Sequence, residues 1–218
     1  MRFLTFNIHH AEGLDGIVRP RRIADTIRTL SPDVVGLQEV RRGVLIGDQP
    51  GGLSRRLKME REFQPTVRVR GYDFGNLLLT RGRIVSAEHI VLPSDAAVAR
   101  GCILVRVELD GEQFAVAVTH LGVRPADLAP HLEILAERLP GDEPLVLLGD
   151  FNATAPQLSA LGELLTLPAD SPPTFPAQHP VAAIDLIGFS RHWRLKALEV
   201  MVTTASDHRP LLAELELV

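Results

Sequence analysis

The order of apolar patterns along these 218 residues predicts an α/β sandwich: two packed, mainly antiparallel sheets covered by helices. Three observations carry that expectation. The chain opens β-α-β, continues as strands joined largely by tight turns, and passes through α-β-α before closing in strands. Antiparallel stretches of this length need a second layer on each apolar face, and the interspersed helices supply it. A single domain spanning residues 1–218 is expected, since sandwiches of this class run to that size.

Taken in order, Met1 to Ile8 is a strand by apolar density, and Asp15-Gly16 a turn. Pro20 to Leu30 carries Ile23, Ile27 and Leu30 at helical spacing, with Pro20 suited to a first turn and Ser31-Pro32-Asp33 as the stop. Val34 to Leu37 is a short buried strand leading into Glu39. Arg41 to Gly52, with scattered glycines and Pro50, reads as a loop, and Leu53 to Glu60 as a short helix. Strands are expected at Asn76 to Thr80, Ile84 to Leu92, Cys102 to Leu109 and Phe114 to Thr119, the last two joined by a hairpin turn at Asp110-Gly111. Leu128, Leu132, Leu135 and Leu139 lie along one face of a helix. Pro144 to Leu148 is another buried strand, Leu158 to Leu165 a helix, and Ser171 to Pro180 a Pro-rich loop. Ile184 to Ile187, Leu195 to Val202 and Leu211 to Leu217 complete the strands.

Apolar residues make up 45% of the chain, enough for a substantial core, and no apolar run approaches the roughly 20 residues of a membrane span. Asn7-Ile8-His9-His10 breaks the first apolar stretch too early for a secretory signal, so a cytoplasmic protein is expected. The lone cysteine, Cys102, sits in a Val/Leu-rich run and reads as a small core residue. A net charge of −4 argues against a broad, sequence-independent grip on duplex nucleic acid.

Chemistry concentrates where apolar runs end. Asn7 and His9 follow Leu4-Thr5-Phe6, Glu39 follows Val34 to Gln38, His120 follows Val116 to Thr119, and Asp150 and Asn152 follow Leu145 to Gly149. Asp207-His208 falls in a short polar interruption before Leu211. Glu39, Asp150 and Asp207, with the amides of Asn7 and Asn152, form an oxygen-rich set suited to Mg²⁺ or Mn²⁺. No zinc spacing occurs, which leaves His120 and His208 for proton transfer or electrostatic work at a phosphate. Metal-assisted hydrolysis of a phosphate ester is the natural reading. Each residue alone has a blander one: an acid after a strand is usually a solvated turn residue, and Gly149-Asp150-Phe151-Asn152 is rich in turn formers. His10 has no evident partner, His89, His131, His179 and His192 fall outside the pattern, and Tyr72 and Phe74 read as packing.

Six motifs occur in order: Thr5-Phe6-Asn7-Ile8, Leu37-Gln38-Glu39-Val40, Thr119-His120-Leu121, Gly149-Asp150-Phe151-Asn152, Ile184-Asp185-Leu186-Ile187 and Ser206-Asp207-His208-Arg209-Pro210. Together they resemble the motif series of the endonuclease/exonuclease/phosphatase superfamily, the deoxyribonuclease-I-like fold, over nearly the whole chain. Pro32-Asp33-Val34-Val35, Gly75-Asn76-Leu77, Arg100-Gly101 and Thr174-Phe175-Pro176 fit as subsidiary elements. The resemblance implies a four-layer α/β/β/α sandwich and a Mg²⁺- or Mn²⁺-dependent hydrolase. It implies Glu39 as principal metal ligand, with Asn7 and Asp207 on the metal side. Asp150 would deprotonate the attacking water, and Asn152 would hold phosphate oxygens. His208, oriented by Asp185, and His120 would flank the phosphate as cationic imidazoles. His9, Arg41, Asn76 and Arg100 are candidate substrate contacts.

The form Asn7-Ile8-His9-His10 is most similar to the small bacterial hydrolases of the superfamily, and long DNA-gripping insertions are missing. A phosphodiesterase, acting as a monomer on a phosphate ester, is therefore favoured. A DNA or RNA nuclease is the alternative within the same chemistry, and a non-catalytic phosphate-binding module is the alternative of another class. Specificity is expected in Ala11 to Arg19, Arg41 to Gly52, Pro93 to Arg100 and Ser171 to Pro180.

Overall fold

Along most core strands, apolar side chains alternate between two faces, and both faces are buried. The computed structural model, which describes residues 1–69, 71–94 and 99–218, resolves this into four layers. The elements run β1 (Arg2–Asn7), α1 (Pro20–Leu30), β2 (Val34–Gly43), β3 (Gly47–Asp48), α2 (Gln49–Leu57), β4 (Glu60–Val69), β5 (Tyr72–Thr80), β6 (Arg83–Leu92), β7 (Arg100–Leu109), β8 (Glu112–His120), α3 (Pro125–Arg138), β9 (Leu145–Asp150), β10 (Asp185–Phe189), β11 (Trp193–Val200) and β12 (Leu211–Leu217). Among the described residues, one sheet has the order β11-β12-β1-β2-β5-β4, with β3 appended to β2. The other is β10-β9-β8-β7-β6. Only β1 with β2 and β8 with β9 pair in parallel there, each pair linked through a helix; the rest is antiparallel.

Three apolar clusters define the layers. Phe3, Val34, Leu78, Val105, Val116 and Leu148 fill the space between the sheets, where Phe3, Phe114 and Trp193 meet edge-to-face at 5.3–5.8 Å. Ile23, Ile27 and Leu53 of the first two helices cover the outer face of the first sheet. Leu132, Leu135 and Leu161 cover the second. The sheets approach closely at Gly36 of β2, where a Cβ would sit 2.9 Å from that of Leu148.

Several sequence expectations shift. The Arg41–Gly52 stretch is not a loop: β2 continues to Gly43, β3 follows, and α2 starts at Gln49 rather than Leu53. Pro50 occupies that helix's first turn, and the Asp48 carboxylate accepts the Gly51 N–H as its cap. Strand β4 was hidden because it is polar and carries Pro65, which sits at a register shift on the sheet edge. The expected helix over Leu158 to Leu165 is a shorter 3-10 segment, Ala155–Leu161, kinked at Leu158. Cys102 is a core residue, its thiol pushed up to about 12 by burial. No helix among the described residues is long and apolar enough to cross a membrane.

Candidate active site

The site grows out of strand periodicity. Residues two and four apart share a face, so a strand that buries apolar side chains between the sheets sends its next polar residue into the same gap. Phe3 leads to Asn7 on β1, Val116 and Val118 to His120 on β8, and Val146 and Leu148 to Asp150 on β9. Ile187 and Phe189 follow Asp185 on β10. Asp150 lies between His120 and Asp185 in the ladder, paired with both. These four polar residues are at most 4% exposed.

Three further residues, Glu39, His9 and His10, reach the site through irregular backbone. A register shift between Leu37 and Val40 places Glu39 at φ 61, turning its carboxylate out of the ladder; such bulges re-aim a side chain. After Asn7, residues His9, His10 and Ala11 all have positive φ, a left-handed turn anchored where the His9 N–H donates to Asn7 Oδ1 at 3.0 Å. That turn brings both imidazoles alongside Glu39.

The hydrogen bonds knit one constellation. Asn7 Nδ2 donates to Asp150 Oδ2 at 2.9 Å and more weakly to Glu39 Oε1 at 3.4 Å. The Asn152 N–H donates to Asp150 Oδ1 at 3.1 Å. His208 Nδ1 lies 2.8 Å from Asp185 Oδ2, which also accepts the Thr174 hydroxyl. His208 Nε2 points back to Asp150 Oδ2 at 3.8 Å, opposite His120 Nε2 at 3.4 Å. Asp207 faces the other way, 3.8 Å from His9 Nδ1.

The two histidines that flank Asp150 differ in charge. Burial pulls His208 down, but the charge and hydrogen bond of Asp185, with Asp150 and Asp207, outweigh it and push the imidazole up to about 9. Burial drives His120 down to about 3, against Asp150 and with help from Arg100 and His208. This corrects the expectation of two cationic imidazoles: His120 is neutral at pH 7. Its tautomer follows as well. Arg100, always a donor, approaches His120 Nδ1 at 3.1 Å, so the ring proton sits on Nε2, facing Asp150. The Asn152 amide, 3.2 Å from Nε2, then keeps its firm bond to the Leu121 carbonyl at 3.1 Å.

A family profile aligns with most of this framework. The Endonuclease/Exonuclease/phosphatase family matches residues 4–208. The chain belongs to that family. YbhP of Escherichia coli (strain K12), an uncharacterised protein, is 28% identical over 99% of this chain and 96% of its own length. An endonuclease/exonuclease/phosphatase structure from Beutenbergia cavernae DSM 12333 superposes with a TM-score of 0.88, at 25% identity over 100% of this chain and 71% of that one. The mannosyl-6-phosphatase of Bacteroides thetaiotaomicron VPI-5482 shares the fold, with a TM-score of 0.77 at 18% identity over 99% of each chain.

The family generally uses divalent metals, and the donor set here fits one. Burial raises the Glu39 pKa, the Asn7 amide and His9 oppose that, and the neighbouring carboxylates Asp150 and Asp207 add to it. Acidic groups that destabilise one another's charge are what a hard cation relieves. Two tighter clusters, His9–His10–Glu39 and Asp150–Asp185–His208, also have ligand atoms within 4.8 Å of one another. In the second, Asp185 and His208 are committed to each other; in the first, the Arg41 charge already bears on His10.

Not every candidate faces the site. Asn76, expected at the substrate, instead donates to the Gly101 carbonyl at 2.9 Å and ties β5 to β7 across the sheets. Ser171 to Pro180, expected to set specificity, carries Thr174 against Asp185 and the Phe175 ring 4.7 Å from His208. Of Pro93 to Arg100, residues 95–98 lie outside the described residues. Tyr72 and Phe74, read as packing, instead line a cavity of about 350 Å³ with His9, His10, Glu39, Arg41, Val67 and Arg100. The positive-φ turn at His9 had no sequence signal, since histidine does not announce left-handed backbone as glycine does.

Proposed function

We propose that this chain, read as one domain, is a divalent-metal-dependent phosphoric ester hydrolase, with phosphodiesters favoured. The observation that carries this reading is Asp150 held between one cationic and one neutral imidazole, beside the carboxylates of Glu39 and Asp207. Glu39, with Asn7 and Asp207, would hold Mg²⁺ or Mn²⁺, which when bound neutralises charge on the phosphate and favours hydroxide over water.

The protein's own groups divide the remaining work. Asp150, fixed by Asn7 and the Asn152 N–H, accepts the proton of a water aligned for in-line attack at phosphorus. His208, kept protonated by Asp185, sets a positive charge and an N–H against the non-bridging oxygens as negative charge builds there. Neutral His120 supplies its Nε2–H from the other side, and Asn152 adds its amide. Thr174 and Phe175 position the Asp185–His208 pair.

A nuclease is the second reading, favoured by the family's inclusion of nucleases and opposed by the net charge of −4. The test is a panel of phosphomonoesters, phosphodiesters and a supercoiled plasmid, assayed with Mg²⁺, with Mn²⁺ and with EDTA. Diester turnover that EDTA abolishes and metal restores is expected. Plasmid nicking faster than any small ester would move the assignment to a nuclease. Absence of turnover across the panel would leave a phosphate-binding module.

A further inference from the structure

The cavity beside Glu39 is lined with charge that the hydrolytic set does not use. Arg41 and Arg42 are neighbours on β2 and present opposite situations. Arg42 meets Asp73 at 2.7 Å and stacks on Phe63. Arg41 has, among the described residues, no carboxylate partner. Its guanidinium lies over the Tyr72 ring at 5.3 Å, and its buried Nε has no hydrogen-bond partner among the described residues. A guanidinium drawn out of water with a donor unused is costly, and an anion in the cavity offsets that cost. Arg100 lines the same space and spends one N–H on His120. Among the described residues no further hydrogen bond of its guanidinium is seen, and it carries five N–H groups in all.

Glu39 lines the cavity, whereas Asp150, Asn152 and His208 do not. A group bound there is therefore a different part of the substrate from the reacting phosphorus. About 350 Å³ suits a small-molecule moiety. With Glu39 assigned to the metal on its other side, the guanidinium groups of Arg41 and Arg100 favour an anion over a second cation in the cavity.

We propose that this cavity binds a second anionic group of the substrate, a carboxylate or a further phosphate, with Arg41 as the residue that selects for it. The preferred substrates are then small phosphate esters carrying two anionic groups. The proposal rests on the hydrolase reading, because it takes the reacting phosphate to sit on the metal side of Glu39.

The test uses the Mn²⁺-loaded protein and phosphonates of three to five carbons that end in methyl, phenyl or carboxylate, titrated by calorimetry. The carboxylate-ended compounds are expected to bind about 30-fold tighter than the methyl-ended ones of equal length, the range of a charge-assisted bidentate contact. Arg41→Gln should cut that preference to less than about threefold, while Arg41→Lys, which keeps the charge, recovers part of it. Equal binding of methyl- and carboxylate-ended compounds, a preference for phenyl, or a carboxylate preference that survives Arg41→Gln would overturn the second-anion site alone. No binding of any phosphonate, together with no hydrolysis of any ester, would overturn the hydrolase reading and this proposal with it.

Discussion

The molecule carries the same unit twice, and the two copies end differently. In each sheet a strand, a covering helix and a parallel strand deliver polar groups to one edge of the gap between the sheets. The β1-α1-β2 unit brings Asn7 from a strand end and Glu39 from a bulge within β2, and β8-α3-β9 brings His120 and Asp150 from two strand ends. The first unit bends open. Its bulge at Glu39 and left-handed turn at His9 leave both side chains partly exposed beside a cavity. The second stays regular to its last residue and is sealed, with His120 4% and Asp150 1% exposed. Burial is thus what separates their chemistry. The open unit offers ligand atoms, whereas the sealed one makes an imidazole neutral and holds a carboxylate in fixed geometry.

The contrast predicts where damage is greatest. Asp150→Asn or His208→Ala should lower kcat about 10³-fold or more, as expected for a base and a charge that act in the transition state. Asp150→Asn should do so with the melting temperature within a few degrees of the parent, whereas His208→Ala also breaks the buried pair with Asp185 and should melt lower. Near-complete metal-dependent turnover by either variant would mean the sealed unit is not the reacting centre.

Next in size is Asp185→Asn, expected to cost about 10²-fold. Its diagnostic effect lies in the pH profile. His208 is raised to about 9, so the rate should fall as pH rises through that region. Without the Asp185 charge the alkaline limb should move to lower pH. Stability responds with the same sign. A group whose folded pKa exceeds its unfolded value contributes fully below the unfolded value, near 6.5, and loses that contribution as pH climbs through about 9. Urea unfolding from pH 6 to 10 should show that loss in the parent protein and not in His208→Gln.

Smaller effects test the scaffold between the units. Gly36→Ala would drive a methyl into Leu148 and Val118, and should destabilise the protein by about 1–3 kcal/mol as overpacking. Asn76→Ala removes the bond to the Gly101 carbonyl across the sheets and should cost about 1–2 kcal/mol. A change in substrate preference larger than the change in stability would return Asn76 to the list of substrate contacts.

Much of the site was legible because period-2 strands write their ends plainly: an apolar run that stops at Asn7, His120 or Asp150 marks both a strand terminus and its face, whereas at Glu39 the apolar run stops at a bulge inside β2. Elements lost to inspection were those whose signals conflict with burial. Strand β4 is polar and contains Pro65, and the β2 extension passes through Gly43. Local residues matter to neither as much as the partner strand β5, which pairs with both.

Charge, likewise, could not be read from residue type. By itself the sequence determined two packed sheets covered by helices and the order of polar groups along the chain, because periodicity and spacing are local properties; the four-layer order and the roles of those groups came with the family resemblance. Only the tertiary structure decided that His120 is neutral and His208 cationic, that Asn76 is a strut, and that Arg41 and Tyr72 line one cavity. Those outcomes depend on how much water each group loses and on which distant strand supplies its partner.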